Sequence, residues 1–189
     1  MKPIRCFIFD LDGTLVFNEH ANAAAYRAAF ASVGLIMTSE EYASYFGLNV
    51  GDMFAKYAEA HNIKAAPELL KKIKSAKVKE YQARTHMMEQ NLPITGLLRA
   101  LVPHYHIALA TTAREVNARA VLEAFDMAEL FDFMVFGDDV THGKPNPECH
   151  KKIAKHFNVE PDECIIFEDS TIGFEAAEAF GAHICKVIR

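Results

Sequence analysis

The sequence predicts an α/β fold: a parallel sheet covered by helices and interrupted near its start by an all-helical insertion. Three observations carry this. Short runs at residues 4–9, 107–110, 133–136, 164–167 and 184–188 have strand length. They are predominantly apolar, as strands buried on both faces are. Amphipathic stretches at 115–125, 147–157 and 172–180 separate the later runs, and Pro147 suits the first turn of its helix. Residues 17–90, by contrast, hold no convincing strand and read as successive helices. Strand-helix alternation implies right-handed crossovers, with the ligand site at the carboxyl ends of the strands.

The insertion divides into four expected helices. The first is alanine-rich and spans 21–33; the second opens at Ser39 behind an N-cap at Thr38 or Ser39; the third spans 52–61 and the fourth 67–88. Gly34, Gly47 and Gly51 punctuate them, and residues 90–93 read as the return linker. The domain reading is therefore a core of residues 1–16 and 91–189 and a helical insertion of 17–90, expected to stand over the carboxyl edge of the sheet as a lid.

Composition limits the partners. The 189 residues are 51% hydrophobic and 24% charged, and 20 Lys+Arg against 25 Asp+Glu leave a formal charge of −5. Such a chain offers no broad positive field for a nucleic acid, although a small phosphorylated molecule fits a local pocket. No export signal is visible and no apolar stretch reaches the roughly 18 residues that span a bilayer, so neither membrane nor export is expected and the cytoplasm is the default. Cys6, Cys164 and Cys185 lie in or beside apolar runs and no Cys-x-x-Cys occurs. Disulfides and zinc are not expected.

The chemistry concentrates at strand ends. Phe7-Ile8-Phe9-Asp10-Leu11-Asp12-Gly13-Thr14 is an apolar strand ending in two acids two residues apart. Alternation turns both carboxylates to one side. Like charges there raise each other's pKa unless a divalent cation balances them. Gly13 permits a tight turn whose N–H groups face an anion, and Thr14 adds a hydroxyl. Thr111 and Thr112 close the run at 107–110; they suit a phosphate oxygen, although Thr112 also fits the N-cap of the next helix. Lys144, between Gly143 and Pro145-Asn146-Pro147, is a lysine held by stiff backbone. Glu168, Asp169 and Ser170 end the fourth apolar run, where Asp169 or Ser170 also fits a helix N-cap.

These residues, in this order, resemble the haloacid dehalogenase-like hydrolase superfamily, and most closely the branch holding phosphoglycolate phosphatase-like enzymes and β-phosphoglucomutase. Asp10-Leu11-Asp12-Gly13-Thr14 is the most specific motif, followed by Gly143-Lys144-Pro145 with Glu168-Asp169-Ser170, and the resemblance runs from Asp10 to Asp169. It implies a Rossmann-like core with an inserted helical cap, a Mg²⁺ cofactor and an aspartyl-phosphate intermediate. Carried over by position, Asp10 is the nucleophile and Asp12 the general acid and base. Mg²⁺ is held by Asp10, the backbone carbonyl of Asp12, Asp169, and Glu168 directly or through water. Thr111 and Lys144 hold the phosphoryl oxygens, with backbone N–H groups near Asp12, Gly13 and Thr112.

Departures from that branch bear on substrate. Where relatives carry Asp-Ser-Glu-Pro-x-x-His after the first motif, this chain has Phe17-Asn18-Glu19-His20-Ala21-Asn22, and Val50 stands where the mutase has an arginine for its second phosphate. Both argue against a sugar-phosphate mutase, while the helical insertion and Asp12 disfavour a phospho-acceptor module and the full set of motif residues disfavours a non-enzymatic binding module, so a phosphatase of a small phosphorylated metabolite is expected. The final sheet edge is expected to be open or covered by a partner subunit, and monomer and homodimer stay equally open. His104 and His106 read as loop residues, His20 as a residue that could face the site, and Lys71, Lys72, Lys74, Lys77 and Lys79 as a solvated helix face. Phe125, Phe131, Phe133 and Phe136 read as core.

Overall fold

The computed structural model describes residues 2–45 and 48–188, so Gly47 lies outside the described residues. The chain forms two compact units, Met1–Asn18 with Met88–Arg189, and Glu19–Met87.

The first unit is built on five parallel strands: β1 (Cys6–Phe9), β4 (His106–Ala110), β5 (Phe133–Val135), β6 (Cys164–Glu168) and β7 (His183–Lys186), in the order β5-β4-β1-β6-β7. All five expected runs are strands. The central strand, β1, is wholly buried, and this requires its continuous apolar sequence. Phe9 pairs with Leu109 on one side and Phe167 on the other, so Asp10, Ala110 and Glu168 leave the sheet at one level. The Phe9 and Phe167 rings stack at 4.7 Å. Helices α6 (Glu115–Ala124), α7 (Glu148–Phe157) and α8 (Thr171–Phe180) follow β4, β5 and β6 in sequence. Pro147 occupies the N-cap of α7, one position before the expected first turn.

Two regions differ from the sequence reading. Val16–Phe17 (β2) and Glu89–Gln90 (β3) form a two-residue antiparallel ribbon inside the interval expected to lack strands. Residues 90–93 are no linker, because Leu92 opens helix α5 (Leu92–Leu101) with Pro93 in its first turn, where the missing N–H costs nothing.

The second unit is all helical: α1 (Glu19–Ala31), α2 (Ser39–Ser44), α3 (Val50–Ala60) and α4 (Pro67–Gln82). Thr38 caps α2 through a complete capping box, its hydroxyl accepting from Glu41 N–H at 3.1 Å while its own N–H donates to Glu41 Oε2 at 2.7 Å. Asn49 caps α3 through its side-chain oxygen alone, which accepts from the Gly51 and Asp52 N–H groups at 2.9 and 3.0 Å. The fourth helix ends at Gln82, short of the expected residue 88, and a 3₁₀ turn, Thr85–Met87, follows it. Tyr26, Phe30, Phe54, Tyr57 and Ile73 form the core of this unit, with the Phe30 ring edge-on to Tyr57 at 5.1 Å. Lys77 leaves the solvated lysine face: its ammonium lies 4.4 Å from the Tyr81 ring centre and 5.0 Å from that of Tyr26. Among the described residues no helix is long and apolar enough to cross a membrane.

His150 on α7 is fully buried, and neither ring nitrogen has a hydrogen-bond partner in good geometry. Burial, helped by the charge of Lys144, lowers its pKa from 6.5 to about 3. The unfolded chain therefore binds the proton more readily between those values. The stability due to neutral His150 is complete above pH 6.5 and lost as pH falls below it, with a limiting slope of roughly 1.4 kcal/mol per pH unit. In His150→Leu, urea midpoints measured from pH 7 to pH 5 are expected to fall less steeply than in the wild type. Parallel curves would refute this.

Candidate active site

The site forms where β1, β4 and β6 end. Asp10 follows β1 directly; it is buried and its N–H donates to Phe167 O at 3.0 Å. Lys144 reaches it from the loop before α7, across a cis Lys144-Pro145 bond. Its ammonium, with the side chain only 3% exposed, donates to Asp10 Oδ1 at 2.8 Å, Glu168 Oε2 at 2.6 Å and Ala110 O at 3.0 Å. Three acceptors satisfy its three donors.

Glu168 ends β6 and is 1% exposed. While Oε2 takes Lys144, Oε1 accepts from Asp169 N–H, Ser170 N–H and the Ser170 hydroxyl at 3.0, 3.0 and 2.9 Å. The Ser170 hydroxyl also caps α8, accepting from Gly173 N–H at 3.1 Å, so the N-cap reading of Ser170 and its place beside the acids both hold. A side chain at Gly173 would collide with Glu168, its Cβ falling 2.0 Å from Oε2.

Gly13 follows the same logic. Its φ of +91° is the left-handed region, and a Cβ there would fall 2.0 Å from Asp169 Oδ2. Asp169 Oδ1 also accepts the Thr14 hydroxyl at 3.1 Å. Two expectations are corrected here. The Gly13 N–H, expected to face an anion, donates to Val16 O at 2.8 Å and closes the turn into β2. Thr14, expected to contribute to the same cradle, is fully buried and orients Asp169 instead.

Thr111 is buried at the end of β4, its hydroxyl accepting from Ala113 N–H at 3.0 Å. Thr112 is exposed and does not cap α6, whose N-cap is Arg114. Asp138 takes over that task, accepting from Glu115 N–H at 3.0 Å and from Arg114 Nε at 3.1 Å. Asp12 is half-buried, and Asn18 donates its amide N–H to Asp12 Oδ1. Sequence reasoning missed Asn18 and Gly173. The only local signal for Asn18 was a polar residue directly after the apolar pair Val16-Phe17.

Electrostatically, acids outnumber bases here. Burial raises the pKa of Asp10; Lys144 opposes this, and Glu168 and Asp12 add to it. Burial alone would lower Lys144, but the Asp10 and Glu168 carboxylates outweigh it and hold the ammonium well above its ordinary range. Carboxylate oxygens of Asp10, Glu168 and Asp169 lie within 4.8 Å of one another. An all-oxygen donor set with excess negative charge fits a hard divalent cation such as Mg²⁺.

His106 opens β4 and stacks on Phe157 at 4.5 Å, while Tyr105 packs edge-on against Phe7 at 4.8 Å. His20 lines a pocket of about 310 Å³ within the helical unit, together with Arg27, Ser39, Tyr42 and Met87.

A family model described as haloacid dehalogenase-like hydrolase matches residues 7–187. A phosphorylated carbohydrates phosphatase of Thermotoga maritima is 33% identical over 177 residues, covering 92% of this chain and 80% of the relative. Fructose-1-phosphate phosphatase of Escherichia coli is 26% identical, with 92% and 91% covered. The crystal structure of CbbY from Rhodobacter sphaeroides in complex with phosphate superposes with a TM-score of 0.84 at 26% identity, over 96% of this chain and 84% of that one. With strand-end acids, lysine and sheet order in agreement with a match that spans nearly every residue, the chain belongs to the haloacid dehalogenase-like hydrolases.

Proposed function

We propose that this enzyme is a Mg²⁺-dependent phosphatase that hydrolyses a small phosphorylated metabolite through an aspartyl-phosphate on Asp10. The observation that carries the reading is the buried Asp10–Lys144 pair, beside the converging Asp169 carboxylate, at the carboxyl edge of a parallel sheet. A structural ion pair has no need of two further acids at the same strand ends.

The Asp10 carboxylate attacks phosphorus, the bond from phosphorus to the leaving oxygen breaks, and that oxygen takes the proton of the Asp12 carboxyl. Water then attacks phosphorus, Asp12 takes its proton, and the bond to Asp10 breaks to release inorganic phosphate. Splitting the reaction this way gives two easier steps. Lys144 neutralises charge next to Asp10, and the Thr111 hydroxyl, already an acceptor for Ala113, has its own proton to donate to a phosphoryl oxygen. Asp10, Asp169 and the Asp12 backbone carbonyl would hold Mg²⁺, with Glu168 at its border. When bound, the ion cancels the repulsion between a carboxylate and a phosphate.

The relatives named for phosphorylated carbohydrates and fructose 1-phosphate direct the first assay to sugar phosphates. Phosphate release from a panel of sugar phosphates, phosphoglycolate and nucleotides, in Mg²⁺ and in EDTA, tests the proposal. Release in Mg²⁺ that EDTA removes is the expected result. Equal release in EDTA, or none from any substrate by folded protein, would overturn it.

A further inference from the structure

Asn18 is the last residue of the α/β unit before α1 begins, and it is buried. A buried carboxamide is costly unless its polar atoms are engaged. Its amide N–H is engaged by one oxygen of Asp12, the residue whose proton the proposed chemistry moves. Asp12 itself lies between the β1 end and Gly13, half-buried, and the Asn18 amide fixes one of its two carboxyl oxygens.

We propose that Asn18 is a positioning residue for phosphoryl transfer: by holding Oδ1 it fixes the plane of the Asp12 carboxyl from which protons pass to the leaving oxygen and from water. The inference rests on the proposed role of Asp12. Orientation of this kind is worth much in rate, since a displacement of about 1 Å costs on the order of 100-fold.

The role has a signature that a structural role lacks. An alkoxide leaving group needs the Asp12 proton, whereas 4-nitrophenolate departs without it; both routes need Asp12 to activate water in the second step. Rapid-mixing kinetics of Asn18→Leu and Asn18→Ala, with Asp12→Asn alongside, separates these steps on 4-nitrophenyl phosphate and glycerol phosphate. For the Asn18 variants we expect a first turnover of 4-nitrophenyl phosphate close to wild type, visible as a burst, followed by a slow steady state. With glycerol phosphate the first turnover falls by about 10- to 100-fold while KM changes little. If folded Asn18 variants lose both first turnovers equally, or neither step changes, while Asp12→Asn discriminates between the leaving groups, the assignment of Asn18 is wrong. If Asp12→Asn does not discriminate either, the underlying reading of Asp12 fails and the inference falls with it.

Discussion

Replacing Lys144 by methionine is expected to destabilise the protein by about 3–5 kcal/mol, the usual cost of breaking a buried ion pair from one side, and to abolish turnover. The methylene stem can be refilled but the charge cannot. Without the ammonium, Asp10 and Glu168 would face each other across a site where both are almost fully buried. Their repulsion is relieved by taking up a proton, so the pKa of Asp10, already raised by burial and no longer held down by Lys144, rises further above that of the unfolded chain. Groups raised in this way support folding below the unfolded value and withdraw that support as pH increases. Urea denaturation of Lys144→Met in EDTA should therefore show a larger deficit against wild type at pH 8 than at pH 5. A wild-type midpoint at pH 8 would show that the triad is not held together by this charge.

Asp10→Asn is expected to have the opposite balance of effects. Loss of the nucleophile should lower phosphate release by about 10⁴-fold or more, on the scale of other nucleophile deletions. Yet the fold should keep or gain stability. The amide fills the same space, the Lys144–Glu168 pair at 2.6 Å remains, and one of several crowded carboxyl groups is neutralised. Activity and thermal midpoint measured on one preparation decide the matter. More than a tenth of wild-type turnover would rule out Asp10 as nucleophile, and a large fall in midpoint would mean that its charge is structural.

The five strands could be read from sequence because a strand buried on both faces has to be apolar along its whole length. The acids stood out for the same reason: nothing but chemistry or pairing keeps Asp10 and Glu168 at the end of such a run. Shorter elements carry no period. Two residues cannot alternate, so β2 and β3 were invisible, and α5 was hidden because residues 90–93, with Pro93 at their end, read as a linker. The proline in fact marked a helix start. Side-chain partnerships across loops were equally hidden. No spacing rule joins Asn18 to Asp12, Thr14 to Asp169 or Gly173 to Glu168, because each depends on how turns fold back. Lys77 was assigned to solvent by its place among lysines, and the two tyrosine faces that receive it come from different helical turns and different helices.

The ribbon of β2 and β3 pairs Val16 with Gln90 and Phe17 with Glu89, so the chain leaves the α/β unit and re-enters it side by side. To the sheet, everything between these strands is the tip of a hairpin. Closing a longer tip costs little more than closing a short one, since the entropy grows only with the logarithm of length. Glu19–Met87 is thus a cassette: its helices can be lengthened, trimmed or exchanged for another module without shifting the register that brings Asp10 level with Glu168.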